Sequence, residues 1–238
     1  MKVERLSFED MNKKMGMIHN EDCLTFMKQV PDNYFDLVLT DPPFGMDYER
    51  HIKDKKHKKI QNDNNLDWLP SFINDLYRIS NYNSHIYMFC SWHNIDLFKQ
   101  ELSKKFHLKN MLIWNKGGGG MGDLRTDFGG VYELILFATK LSKNENQRSL
   151  NGSRDTNIIN GRRSGNELHP TQKPSDLIEY LLRKSMADND KVFDPFMGSG
   201  TTAIACKSLG LEWCGCELEA DYVAIANKRL EAVQGSLF

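Results

Sequence analysis

Nothing in this 238-residue chain approaches the run of ~18 apolar residues that a membrane span requires. The segment Met1-Lys2-Val3-Glu4-Arg5 also lacks the apolar core of a secretion signal. Cysteine is scarce and odd in number, five in all, which argues against a disulfide framework and fits a reducing cytoplasm. Cys214 and Cys216 alternate along the strand-like run 212–217 and should share one face. With no further ligand near them in sequence, they read as buried thiols rather than a metal site. An excess of one charge is missing too. The balance of 31 Lys and Arg against 32 Asp and Glu leaves a net charge of −1, so no global positive field announces a nucleic-acid partner. Also absent are the Gly-Lys-Ser/Thr of a phosphate-cradling loop and the third glycine of the dinucleotide fingerprint, which disfavours a nucleoside triphosphate.

What is present is an alternation of strand-like and helix-like segments, which predicts an α/β doubly wound sheet. At 40% hydrophobic and 26% charged residues, the chain suits one domain over 1–238. Short apolar runs predict strands at 16–20, 35–40, 85–90, 110–114, 131–138, 191–193 and 212–217. Leu69, Phe72, Ile73, Leu76 and Ile79 follow helical spacing, as do Leu177, Ile178, Leu181 and Leu182 after Pro174. Helices are also expected at 22–29, at 201–209 with Gly210 just past the end, and in a final stretch carrying Val223, Ala226, Leu230 and Val233. The four glycines from Gly117 to Gly120 mark a loop. Two segments stand apart. A basic loop at about 49–66 holds Arg50, Lys53, Lys55, Lys56, Lys58 and Lys59. An Asn-, Ser-, Gly- and Arg-rich insertion at about 142–168, including Arg148, Arg154, Arg162 and Arg163, reads as an irregular surface excursion that orders on a partner. Both segments, with 116–125, are candidate grips on a phosphate backbone or on base edges.

Two short motifs carry the chemistry. The first is Thr40-Asp41-Pro42-Pro43-Phe44, directly after the apolar run 35–39. The second is the run from Phe193 to Thr202, which holds Asp194, Phe196, Gly198, Ser199, Gly200, Thr201 and Thr202 and follows a shorter strand. An acid at the end of a parallel strand lies on the carboxyl rim, where open α/β sheets bind ligands. Gly198 and Gly200 lack a Cβ and open onto the first N–H groups of a helix. Glu217, closing the next strand, is placed to accept the ribose hydroxyls of an adenosine-containing ligand. In the first motif the two prolines remove backbone donors and leave carbonyls free to accept. A carboxylate beside such a carbonyl matches the two hydrogens of an exocyclic amine. Phe44 offers a plane for a stacked base.

With His169-Pro170-Thr171-Gln172-Lys173-Pro174, these motifs resemble the amino-methylating DNA methyltransferases of the beta subgroup, in which the catalytic tetrapeptide precedes the cofactor loop. The resemblance covers nearly the whole chain. It implies a seven-stranded methyltransferase sheet of Rossmann-like type, mostly parallel, with the strand at 131–138 antiparallel to its neighbours. It implies S-adenosylmethionine as cofactor and double-stranded DNA as partner. The implied catalytic set is Asp41, Pro42, Pro43 and Phe44. The implied cofactor set is Asp22 and Cys23 near the adenine, Glu217 on the ribose, Asp194 near the methionine amino group, and Asp41, Phe196, Gly198, Ser199, Gly200, Thr201 and Thr202 around them. His169, Thr171, Gln172 and Lys173 would close over the methionine end. Phe44 stands where the commoner residue is tyrosine. Asp at the first catalytic position associates with adenine N6, and Ser with cytosine N4, so adenine is expected and cytosine is the alternative. Methylation of glutamine or RNA by sheets bearing Asn-Pro-Pro-Tyr fits less well, given the segment order and the Arg-rich insertion. An inactive cofactor-sensing DNA-binding module conflicts with the intact Asp41, glycines and Glu217. A homodimer and a cognate restriction endonuclease stay open as partners.

Overall fold

A computed structural model describes residues 4–45, 51–52, 55–56, 65–118, 126, 128–141, 147–161 and 173–234. In chain order the elements are α1 (Phe8–Asn12), β1 (Ile18–His19), α2 (Cys23–Gln29), β2 (Phe35–Thr40), β3 (His51–Ile52), β4 (Lys55–Lys56), α3 (Leu69–Ile79), β5 (Ser80–Cys90), α4 (Ile95–Ser103), β6 (His107–Asn115), β7 (Tyr132–Thr139), β8 (Ile158–Asn160), α5 (Ser175–Ser185), β9 (Lys191–Asp194), α6 (Thr201–Ser208), β10 (Glu212–Cys216) and α7 (Ala220–Gln234). Eight strands form one sheet in the order β1-β10-β9-β2-β5-β7-β6-β8, and β3 and β4 form a separate antiparallel pair. All pairings in the large sheet are parallel except those of β7, which runs antiparallel to both β5 and β6.

The strands are apolar on both faces because both faces are covered. Phe35, Val38, Ile86, Met88, Phe193, Cys214 and Cys216 pack with Met11, Phe26, Leu69, Phe72 and Phe98 from α1 to α4. Their alternating neighbours Leu37, Leu39, Tyr87, Phe89, Val192 and Trp213 pack with Leu177, Leu181, Ala203, Cys206 and Leu230 from α5 to α7. The expected α3 stripe is fully realised: Leu69, Phe72, Ile73, Leu76 and Ile79 are all at most 2% exposed. Each such side chain contributes roughly 1.5–3 kcal/mol by leaving water. All five cysteines are free and buried, with Cys214 and Cys216 on the same face as expected.

Three features differ from expectation. The short helix α1 and the three-turn helix α4 were not anticipated, although Phe98 and Leu102 supply α4 with a buried edge. The sheet has an eighth strand. The insertion at 142–168 is also not an irregular excursion where it is described. Within 147–161, Ile158–Asn160 pairs in parallel with Ile113–Asn115 as β8. Around it, Asn151 Nδ2 donates to the Arg183 and Met186 carbonyls at 2.9 and 2.7 Å. Lys184 Nζ reaches Asp155 at 2.6 Å, and Arg148 pairs with Asp190. Its polar composition therefore serves as a set of ties to α5 and to the turn that follows it rather than as a sign of disorder.

The topology places the site. From β2 the chain winds outward through β5, whereas from β9 it winds the other way through β10. The switch point falls between β9 and β2, which pair at Leu37–Val192 and Val38–Phe193. Ligands of open α/β sheets bind in this crevice, outside the carboxyl ends. Those two ends carry Asp194 and Asp41.

Candidate active site

On the β9 side, the loop after Asp194 is held almost wholly by backbone amides. Asp194 Oδ1 accepts from Phe196 N at 3.0 Å, and Glu217 takes Gly198 N and Glu219 N at 2.8 Å each. Gly200 sits in the left-handed region at φ 84° as the N-cap of α6, where an added Cβ would stand 2.7 Å from the Ala226 Cβ. Arg229 of α7 clamps the loop through Ser199 O and Oγ at 2.5 and 3.0 Å. Gly215 lets the loop close down on β10, because a Cβ there would fall 2.2 Å from Met197 Cε and 2.5 Å from the Asp194 carbonyl.

Burial pushes the Asp194 carboxyl up to about 7, against the hydrogen bonds from Thr202 and Phe196 N, with Asp41 and Glu217 adding to the rise. Burial also raises Glu217, against its backbone hydrogen bonds. Ser199, Thr201 and Thr202 are buried, and half-buried Phe196 packs on Trp68 and Phe72. Asp22 caps α2, its Oδ2 accepting from Thr25 N and Oγ1 at 2.9 and 3.1 Å. Cys23 is buried beside it, within the electrostatic reach of both Asp22 and Glu217. Asn20 Nδ2 ties this rim together by donating to the Glu217 and Leu218 carbonyls.

On the β2 side, side chains do the holding. Asp41 Oδ2 accepts from Lys173 Nζ at 2.5 Å. Asp41 Oδ1 is buried and has no hydrogen-bond partner among the described residues. Lys173 Nζ also lies 3.2 Å from Glu133 Oε2 on β7, an ion pair without hydrogen-bond alignment. Lys116, just past the end of β6, reaches Glu133 Oε1 at 3.1 Å. The Lys173 ammonium stands 4.9 Å from the centre of the Phe89 ring. Burial raises Asp41 above the ordinary carboxylate range while Lys173 pulls it down and Glu133 pushes it up. For Lys173, burial opposes the charge, but Asp41 and Glu133 outweigh it and hold the ammonium firmly protonated. Pro42 is buried, and Pro43 and Phe44 are half-buried. Asn94 Nδ2 donates to the Phe44 carbonyl at 2.6 Å, fixing the tetrapeptide against the start of α4.

The structure thus brings Asp41, Pro42, Pro43, Phe44 and Lys173 to one side of the crevice, with Asp194, Phe196, Gly198, Ser199, Gly200, Thr201, Thr202 and Glu217 on the other. Asp22 and Cys23 lie at its far rim, beside Glu217. His169, Thr171 and Gln172 fall outside the described residues, as do Arg162, Arg163 and most of the basic loop. Arg148, a candidate DNA reader, is committed to Asp190 instead, whereas Arg154 is exposed. Sequence reasoning missed Glu133, Asn94 and Gly215, and it offered Lys116 only as part of a candidate DNA grip at 116–125, whereas that side chain pairs with Glu133. A lone acid at the head of the otherwise apolar run 131–138 was the one available signal.

Comparison with known proteins agrees with this geometry. A family model described as DNA methylase matches residues 35–228. The chain belongs to that family. It is a DNA methyltransferase of the N6/N4 group, whose cofactor is S-adenosylmethionine. It is 29% identical to the type II methyltransferase M1.MboII of Moraxella bovis, over 90% of this chain and 96% of that protein. It is 26% identical to the DNA adenine methyltransferase YhdJ of Escherichia coli (strain K12), over 92% of this chain and 84% of that one. Among solved structures, the M1.HpyAVI–SAM complex superposes with a TM-score of 0.69 at 27% identity, covering 90% of this chain and 99% of the other. Among the described residues, no helix of this methyltransferase is long and apolar enough to cross a membrane.

The site's own chemistry fits S-adenosylmethionine. A buried carboxylate at Asp194 with a raised pKa calls for a cation such as the methionine ammonium. Glu217 already holds two backbone amides and keeps acceptor capacity for hydroxyls. Gly198 and Gly200, both at positive φ, leave backbone open to close approach.

Proposed function

We propose that this methyltransferase methylates the exocyclic N6 amine of adenine in DNA, on a base extruded from the duplex. The observation that carries the reading is Asp41 at the switch point, with Oδ2 tied to Lys173 and Oδ1 left as a buried acceptor without a donor. A buried acceptor in this state is costly, at about 1–3 kcal/mol, and is explained when a ligand supplies the donor.

In this reading Asp22 and Glu217 hold the adenosine end of the cofactor, and Asp194 its amino group. S-adenosylmethionine supplies an electrophilic methyl group on a sulfonium. Phe44 stacks the extruded base, whose unstacking costs a few kcal/mol. Asp41 Oδ1 and the Pro42 carbonyl accept the two amine hydrogens, which draws the nitrogen lone pair out of conjugation and aims it across the crevice. Orientation and fixed electrostatics then do most of the work. The proton shed by the nitrogen has the Asp41 carboxylate as its adjacent acceptor. No cysteine attack is needed, because no ring carbon changes. The chemistry of the tetrapeptide is shared with cytosine N4 transfer. Adenine is favoured by Asp at position 41 and by the similarity to the DNA adenine methyltransferase YhdJ.

The test is methylation of unmodified plasmid DNA with labelled S-adenosylmethionine, followed by nucleoside mass spectrometry. N6-methyl-2′-deoxyadenosine is expected; N4-methyl-2′-deoxycytidine alone would overturn the assignment to adenine.

A further inference from the structure

We propose that Lys173 is a positioning residue for methyl transfer: its ammonium clamps Oδ2 of Asp41 and reserves Oδ1 for the target amine, while Glu133 and Lys116 hold Lys173 in place. This rests on the reading of Asp41 as the amine acceptor. The resemblance to the family implied that Lys173 closes over the methionine end of the cofactor; in the structure its ammonium lies 2.5 Å from Asp41. The contact joins residues 132 positions apart and ties the lead-in to α5 to the end of β2. Lys173 is only 8% exposed, so its charge is spent inside the protein rather than on a phosphate backbone.

The charges around Asp41 make the ammonium hard to replace. Glu133 faces it from β7, Asp194 from β9 and the Cys90 thiol from β5. None of these is positive. Lys116 joins the cluster at Glu133, on the side away from Asp41 in the chain of ion pairs. Among the described residues, Lys173 is therefore the one cation in contact with Asp41. A carboxylate surrounded by other acids and apolar surface rotates and protonates freely without such a partner. With it, one oxygen is fixed and the other remains an acceptor of defined direction.

The pH dependence of turnover separates this role from packing or cofactor binding. Transfer needs ionised Asp41, so kcat falls on the acid side as that carboxyl protonates. Lys173→Met removes the charge that favours ionisation, and the acid limb should move to higher pH by about one to three units. Cofactor affinity, measured by calorimetry, should stay within about twofold, and Lys173→Arg should keep the limb near its original position. Glu133→Gln should move the limb the opposite way, to lower pH, because Glu133 pushes the Asp41 carboxyl up. An unmoved limb in Lys173→Met, or a tenfold loss of cofactor affinity without a shift, overturns the proposal. If Lys173→Met does not fold, the shorter neutral Lys173→Gln is read in its place, and an unmoved limb there is equally fatal. Asp41→Asn run in parallel keeps the two readings apart. Activity in that variant defeats the role of Asp41 itself, whereas an inactive Asp41→Asn with an unmoved Lys173→Met limb defeats only the role of Lys173.

Discussion

The two walls of the crevice are built on different principles. On the β9 wall, main-chain N–H groups of Phe196, Gly198 and Glu219 hold the acids, and glycines permit the necessary close approaches. On the β2 wall, a chain of side-chain ion pairs from Lys116 through Glu133 and Lys173 ends at Asp41. Backbone-built sites are rigid and encoded locally. Charge-built sites are tunable and depend on segments that meet only in the fold. A cofactor that binds in one fixed pose suits the first wall. An amine that must be gripped as its charge changes suits the second.

The comparison breaks most sharply at Asp41. Replacement by alanine should cut methyl transfer by on the order of 10³-fold or more while leaving cofactor affinity near wild type. Calorimetry with S-adenosylmethionine alongside a labelled-methyl assay checks both halves. Near-normal turnover would show that the β2 wall does not perform the chemistry.

Gly200→Ala attacks the other wall through its backbone. The left-handed φ of 84° and a Cβ only 2.7 Å from that of Ala226 should together cost about 2–4 kcal/mol. That lowers the melting temperature by roughly 5–15 °C and weakens cofactor binding along with stability. A thermal melt at wild-type temperature would mean that the loop is less rigid than its geometry states.

The smallest effect is a pH signature of Asp194. Its carboxyl keeps a proton up to about pH 7 in the fold but releases it near the ordinary value of 3.8 when unfolded. The native state therefore binds more protons between those limits, and this group's contribution to stability falls as pH rises from about 4 to 7. A bound ammonium favours the ionised form, so cofactor binding near pH 6 should release a proton. Calorimetry in buffers of different ionisation enthalpy measures this, and Asp194→Asn should abolish the release.

The β9 wall was legible in the sequence because its determinants are contiguous: a strand, an acid, two glycines and a helix start within Phe193–Thr202, then Glu217 one strand later. The tetrapeptide Asp41–Phe44 was legible for the same reason. Glu133 was not, since a single acid in a strand carries no local pattern that tells a buried partner from a solvated charge, and for the same reason Lys116 was read as a DNA grip rather than as its partner. Gly215 was read as part of a plain strand; only the approach of Met197 and the Asp194 carbonyl shows why a side chain cannot stand there. The stretch 147–161 misled because its ties to α5 and to the turn before β9 run through Asn151, Asp155 and Arg148, residue types that in sequence signal exposure.

From the amino-acid order alone came the alternating elements, the stripe buried by α3, the apolar strand at 131–138 and the two motifs that bound the crevice; the antiparallel direction of that strand came only from the family resemblance. These follow from short-range rules of periodicity, turn chemistry and capping, which act within a few residues. The fold decided what the motifs face. It set β2 beside β9 at the switch point, delivered Lys173 to Asp41 and added β8 at the sheet edge. Coulomb attraction and burial depend on distance in space, and the chain order is silent about which distant charges will share a cavity.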